Sequence, residues 1–341
     1  MKPSKFLPLL TAAFSFAAIV APVQADEITL YSHRHYESDD ALFAKFTEKT
    51  GIKVNVVKAS ADELIERISA EGDNTKADVL MTADAGRLER AKSKGLLQAI
   101  ESASLMDRVP AHLRDPEGSW FGFTQRARII AYSKDRVKPE DLSTYEDLAD
   151  PKWKGRILVR SSSNIYNQSL LASIVANDGE EKATAWAQAV RKNMARAPQG
   201  SDRDQMRGVA AGLGDVAIVN TYYVGLLATS ADEKDREVAE KIAIYFPNQD
   251  GRGTHVNVSG AGVTKATKNK ESAIKFLEFL ASDEAQASFP QATYEYPVVA
   301  GVEWSDLQKS WGEFEPDSLN LSKLGENNEK AVEIFNIVGW E

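Results

Sequence analysis

The apolar positions of the chain switch between a period of two and a helical period. Residues 28–32, 53–58 and 78–81 read as strands. Between them, residues 39–49 place Leu42, Phe43 and Phe46 on one helical face, residues 63–69 form a second helical stretch, and residues 85–94 a third that stops at Gly95. This β-α-β-α-β-α rhythm predicts a mostly parallel sheet with helices on both faces, a design that binds ligands at the carboxyl ends of its strands. A second unit of the same kind follows. Residues 156–159 form a strand, 168–177 and 180–192 helices, and 215–219 a strand running straight into Asn220-Thr221-Tyr222-Tyr223. Between the units, residues 120–133 are apolar, β-branched and aromatic around Gln125-Arg126-Ala127-Arg128, as expected of a crossing strand. Beyond Tyr245-Phe246-Pro247, a glycine-rich segment over 251–262 leads to an amphipathic helix over 271–281. Two α/β domains joined by crossing strands imply a cleft, and clefts between domains favour small ligands.

The 341 residues, 43% hydrophobic and 27% charged, suit a soluble globular chain of about two domains. The absence of cysteine excludes disulfides, thiolate zinc sites, iron–sulfur clusters and a cysteine nucleophile, so any metal must be met by oxygen and imidazole. A formal net charge of −9 argues against a nucleic-acid partner, whose phosphates call for a basic face. At the N-terminus, Lys2 and Lys5 precede an apolar run over 6–21, and Val23-Gln24-Ala25 supplies the small residues of a cleavage site. Residues 1–25 therefore read as a secretory signal peptide cleaved after Ala25. About 15 apolar residues interrupted by Pro8 fall short of the ~20 of a spanning helix. The mature chain of 316 residues, having lost two lysines and no acid, carries a net charge of −11. With no cysteine to carry a lipid, it is not membrane-anchored, and it is exported to the periplasm or beyond.

Enzyme signatures are missing. There is no Gly-x-Ser-x-Gly elbow, Walker loop, His-Glu-x-x-His or Rossmann glycine fingerprint. Three other motifs stand out in order along the chain: Tyr31-Ser32-His33-Arg34-His35-Tyr36, Ser161-Ser162-Ser163-Asn164-Ile165-Tyr166-Asn167 and Asn220-Thr221-Tyr222-Tyr223. Tyr222 and Tyr223 can reach one point only if the backbone leaves strand geometry, because neighbouring strand side chains face opposite ways. Otherwise one packs in the core and the other covers the surface. Arg126 and Arg128, two apart on a strand, share a face, whether as solvated or salt-bridged arginines or near a site.

Ala77-Asp78-Val79, the segment 150–156 with its Asp-Pro-Lys-Trp-Lys-Gly-Arg, Ala273-Ile274-Lys275-Phe276-Leu277 and Ser282-Asp283-Glu284-Ala285-Gln286 resemble the extracellular solute-binding proteins of ABC importers. These segments span most of the mature chain. The three tyrosine-bearing motifs resemble the periplasmic ferric-iron-binding proteins, especially the tyrosine-rich FutA type. The resemblance implies a class II "Venus flytrap", bilobed and hinged, with a first lobe over 26–124 plus 247–300 and a second over 125–246 plus 301–341. It implies a monomeric, non-enzymatic carrier of Fe³⁺ that delivers its cargo to a membrane permease.

Matched residue by residue, the resemblance implies phenolate ligands at Tyr36 from the first lobe and at Tyr166, Tyr222 and Tyr223 from the second. It also implies a histidine at His35 that binds the metal in some members and stands back in others, and Arg126 beside the site. The chemistry fits, since ferric ion prefers hard anionic oxygen donors and can displace the proton of a phenol whose pKa is otherwise about 10. Four phenolates on Fe³⁺ sum to −1, which one guanidinium neutralises, making a synergistic anion less necessary while leaving room for one or for a water. Other members of the family place a glutamate in the cleft from the first lobe. The helix at 63–69 offers no position for it, so the tyrosine-dominated variant is expected. His33 reads as a surface or supporting residue, and His112 and His255 have no motif around them. Tyr294 and Tyr296 read as packing residues of a buried turn, and the lysines of 265–275 as a solvated helical face. Two other readings remain open: a solute-binding protein for an anion, a thiamine-like compound or a polyamine, and a secreted iron oxidase using the same tyrosines. The first, for an anion, would turn Ser161, Ser162, Ser163 and a helix N-terminus inward.

Overall fold

The computed structural model describes residues 26–34 and 36–341; the expected signal peptide, residues 1–25, and His35 lie outside the described residues. The first lobe opens with β1 (Glu27–Ser32), α1 (Glu37–Thr50), β2 (Lys53–Lys58), α2 (Ala61–Glu71), β3 (Val79–Ala83) and α3 (Ala85–Ser93), the order the hydrophobic pattern predicts. After α4 (Ala103–Arg108), the long β4 (Phe121–Ser133) leaves for the second lobe. That lobe holds β5 (Ile157–Leu158), α5 (Ile165–Asp178), α6 (Glu180–Asn193), α7 (Asp202–Ala210), β6 (Val216–Asn220), α8 (Thr221–Ala228), α9 (Glu233–Lys241) and β7 (Ile242–Tyr245). The chain returns through β8 (Val256–Val263), α10 (Lys270–Leu280), α11 (Asp283–Thr293) and β9 (Tyr296–Pro297), and closes with α12 (Asp306–Ser310), α13 (Ser322–Glu326) and α14 (Asn328–Val338).

Local chemistry sets the helix ends. Ser60 and Glu63 form a capping box that starts α2, satisfying two backbone N–H groups that a first turn leaves orphaned. Gly51, at φ 74°, ends α1 in the left-handed conformation that glycine adopts without steric penalty. The apolar face of α1 buries Leu42, Phe43 and Phe46, and Phe46 meets Phe276 of α10 edge-on at 5.2 Å between ring centres.

Among the described residues the sheet order is β2-β1-β3-β8-β4-β6-β5, with β7 and β9 also paired to β4. β1 runs parallel to β2 and β3, and β5 parallel to β6, so the expected parallel pairing holds inside each lobe. It fails where the lobes meet. β8 is antiparallel to both β3 and β4, and β4 is antiparallel to β6 and β7. The cause is the path of the chain: it leaves along β4 and comes back along β8, so the two crossing strands must oppose each other. Up to Ala127, β4 pairs with β8 and β9; from Arg128 onward it pairs with β6 and β7. The carboxyl ends of β1, β3 and β6 all open toward this junction.

A second hydrophobic cluster around Tyr145, Trp153, Trp186 and Trp340 fills one face of the second lobe. α13 packs against both α3 and α5, and α14 against α5 and α6, so the end of the chain straps the two lobes together. His255, 4% exposed, sits at the entry to β8. Burial, and then the guanidiniums of Arg128, Arg126 and Arg252, lower its pKa to about 3 from a usual 6.5. Between those two pH values the unfolded chain binds a proton that the folded chain refuses, so stability falls as pH drops below about 6.5. Urea unfolding at pH 6.5 and at about 4.5 should show a smaller loss in His255→Gln than in the parent chain. Equal losses would remove this imidazole from the account.

Candidate metal centre

Each of the four tyrosines stands where a secondary-structure element begins. After β1 the chain turns sharply, with the N–H of Arg34 donating to Ser32 Oγ at 3.1 Å, and Tyr36 becomes the residue just before α1, in extended backbone. Tyr166 lies in the first turn of α5, where its N–H donates to the side chain of Asn164 at 3.1 Å. Tyr222 and Tyr223 lie in the first turn of α8, which starts directly at the end of β6. The strand therefore does give way at Thr221, whose hydroxyl accepts the N–H of Ala127 on the crossing strand. In a helical turn neighbouring side chains no longer point to opposite faces. The two rings lie 4.2 Å apart, inclined by 37°, and Tyr222 Oη donates to Tyr166 Oη at 3.3 Å.

Tyr36, Tyr166, Tyr222 and Tyr223 line one cleft of about 270 Å³ between the lobes, together with Arg126, His33, Arg34, Arg203 and Glu295. His35, expected as a further metal ligand, lies outside the described residues. Burial raises the Tyr222 phenol well above its usual pKa, and the neighbouring Tyr166, Tyr223 and Tyr36 add to that, with Arg126 acting in the opposite sense. Burial raises Tyr36 likewise, followed by the Glu295 carboxylate, against Arg34. Tyr223 is also raised, first by burial and then by Tyr166. These three groups are phenols at neutral pH. Each other's ionisation is disfavoured by proximity, so a cation placed among them is what would draw the protons off.

Guanidiniums surround the phenols. Those of Arg126, Arg128 and Arg160 lie 5.7, 5.8 and 5.6 Å from the centre of the Tyr166 ring. The two strand arginines part company in their partners. Arg128 is tied mainly into structure, donating to Asp202, Asn220 and Asn167 at 2.7, 3.1 and 2.8 Å, while its Nε has no hydrogen-bond partner among the described residues. Arg126 reaches Ser259 Oγ at 3.5 Å and stands 4.0 Å from Asp84, while its buried Nη2 has no hydrogen-bond partner among the described residues. It is the one of the pair that lines the cleft.

The sequence reading missed Arg34 and Glu295. Arg34 holds Asp39 of α1 through Nε and Nη2 at 2.9 and 3.2 Å, and its Nη1 donates to Glu295 at 2.6 Å and to Thr124 of β4 at 3.3 Å. Its guanidinium also covers the Tyr36 ring at 4.8 Å. Glu295 accepts further from Thr124 and Ser259, and burial is more than offset by Arg34 and Arg126, so its carboxyl lies below the usual range. The first lobe thus does put a carboxylate in the cleft, from the turn between α11 and β9, whereas Glu63 serves the cap of α2. The signal available was an acid between two tyrosines in a segment otherwise suited to burial. Tyr296 is buried against Trp304 and Phe314, and Tyr294 packs on α8. Ser161 and Ser163 bond to each other at 3.0 Å on the exposed side of their turn.

The frame is that of a class II periplasmic binding protein: two α/β lobes threaded by opposed crossing strands, with a cleft where they meet. The chain belongs to the family of bacterial extracellular solute-binding proteins, whose model matches residues 74–311. It is 54% identical over 320 residues to iron uptake protein A1 of Synechocystis sp., which spans 94% of this chain and 89% of that protein. It is 30% identical over 303 residues to the major ferric iron-binding protein of Neisseria meningitidis serogroup B, over 87% of each. A solved structure of Trichodesmium FutA (IdiA) in complex with iron and citrate ligands superposes with a TM-score of 0.91 at 53% identity, covering 92% of this chain and 100% of that one.

Removing Arg34 leaves two buried carboxylates without their cation. Arg34→Met should destabilise the metal-free protein by about 3–5 kcal/mol in urea unfolding. Adding Glu295→Gln should recover part of that loss. A change within about 0.5 kcal/mol would mean that the pair contributes nothing net.

Proposed function

We propose that this protein binds ferric ion in the cleft between its lobes and delivers it to the permease of an ABC importer. The ligands are the phenolates of Tyr36, Tyr166, Tyr222 and Tyr223, with His35 as a further donor and Arg126 balancing charge. The observation that carries this reading is the gathering of four phenols from both lobes in one cleft. A trivalent cation requires anionic oxygen, and among the described residues no cluster of three or more His, Asp or Glu is placed to supply it. The relatives named for iron uptake and ferric-iron binding, and the neighbour solved with iron and citrate, support the choice of cargo.

Charge completes the argument. Four phenolates leave the ferric site at −1, and Arg126, whose buried Nη2 has no hydrogen-bond partner among the described residues, can bring it to neutrality while a water or a synergistic anion fills any remaining position. The exposed pairing of Ser161 with Ser163 supports the tyrosine cleft over a serine-lined anion pocket. No helix among the described residues is long and apolar enough to cross a membrane. Export through cleavage after Ala25, and work in the periplasm as an unanchored monomer, belong to the same proposal. Because the donors come from two lobes, cargo stabilises the arrangement in which the lobes close on it.

Ferric titration should give the orange-to-red colour of phenolate-to-iron charge transfer. Tyr222→Phe and Tyr223→Phe should each shift that band and weaken binding at least about tenfold, some 1.4 kcal/mol. Wild-type affinity and absorbance in both variants would rule out the pair as ligands. Small-angle scattering should show a smaller radius with iron than without; an unchanged radius would contradict lobe closure.

A further inference from the structure

Gly225 stands in α8, two residues after Tyr223, and the ring of Tyr294 lies directly on it. A methyl group built on Gly225 would come within 2.5 Å of Tyr294 Cγ, 2.7 Å of Cδ2 and 2.8 Å of Cβ. These are the root atoms of the ring, and they cannot swing aside as the end of a long side chain can. The root is also fixed. Tyr294 ends α11 in the left-handed conformation at φ 57°, uncommon for a residue with a bulky side chain, and its carbonyl accepts from the buried Gln308 at 3.1 Å. On its far side the chain runs into Glu295, tied to Arg34, Thr124 and Ser259, and then into β9, which pairs with β4 just before the crossing point.

The two lobes thus touch through a glycine and a strained aromatic residue. On one side is the helix that carries Tyr222 and Tyr223. On the other is the turn whose next residue, through Arg34, holds the loop that carries Tyr36. We infer that the Tyr294 ring seated on Gly225 is a stop between the lobes, a positioning contact that sets the spacing at which the phenols of the two lobes converge. Glycine is required at 225 because any Cβ would wedge α8 away from the first lobe. A rigid turn is required at 294 because a yielding one would leave the spacing undefined. The inference rests on the proposed ferric site and adds to it the element that gauges the gap.

Alanine is the better helix former, so Gly225→Ala does not weaken α8 itself. Its ferric affinity should nevertheless fall by about 10–100-fold, the range typical of groups that orient metal ligands, with a shifted charge-transfer band. Adding Tyr294→Gly to the same chain, which removes Cβ as well as the ring, should leave affinity no lower than in Tyr294→Gly alone, because the added methyl then has nothing to press on. Wild-type affinity in Gly225→Ala, or losses from Gly225→Ala and Tyr294→Gly that simply add in the double variant, would overturn the inference. Should Gly225→Ala fail to fold, Tyr294→Gly removes the ring and relieves the backbone strain together. With spin labels at Glu48→Cys and Lys182→Cys, unique in a chain without cysteine, its inter-lobe distances should broaden relative to the parent; an unchanged distribution would overturn the inference. If the parent chain takes up no ferric ion, the functional reading fails instead. The label distances of the metal-free parent and Gly225→Ala then still decide the stop: a shift sustains it and identity removes it.

Discussion

A phenol inside a protein gives up its proton only to a partner that repays the burial of the resulting charge. Four of them in one cleft raise the requirement, since every ionised ring opposes the ionisation of the next. Under the proposed ferric reading, one small trivalent cation is the partner that all four oxygens share. The guanidiniums of Arg126 and Arg34 set the electrostatic background: one with a nitrogen unpartnered among the described residues, beside the rings, the other locked into carboxylates that shape the loop of Tyr36.

The fold serves that chemistry by bringing element starts to one place. Helix beginnings after β1 and β6, and the first turn of α5, supply side chains that regular strand backbone would scatter to both faces. The opposed crossing strands put these beginnings on either side of a narrow junction. Between them lie buried polar groups that tie the elements together: Asp84 accepts from Ser169 of the second lobe and from Asn257 of β8, and Arg128 knits β4 to α5, α7 and β6. Close polar packing at the junction and a cleft beside it are two sides of one arrangement.

Much of this was legible in the sequence, and the reasons are local. Periodic burial of Leu42, Phe43 and Phe46 identifies α1, and the run at 216–219 followed by two tyrosines marks a strand whose exit carries ligand candidates. The four tyrosines emerge from motif resemblance, and the structure gathers them in one cleft. What was not legible depends on the path of the chain. The antiparallel crossing strands follow from the return of the chain to the first lobe, which no window of residues records. Arg34 and Glu295 are 261 residues apart, and neither has a local pattern that predicts a buried pair. Tyr294 was legible only as a packing residue; that it packs on a glycine of the other lobe is a fact of the third dimension.

The central claim is that oxygens from both lobes hold one ferric ion. Diffraction from iron-loaded crystals, recorded on either side of the iron absorption edge, tests it most directly. The account predicts a single anomalous peak in the cleft, bonded to the phenol oxygens of Tyr36, Tyr166, Tyr222 and Tyr223. A peak elsewhere, or one in the cleft with those rings turned away from it, would contradict it.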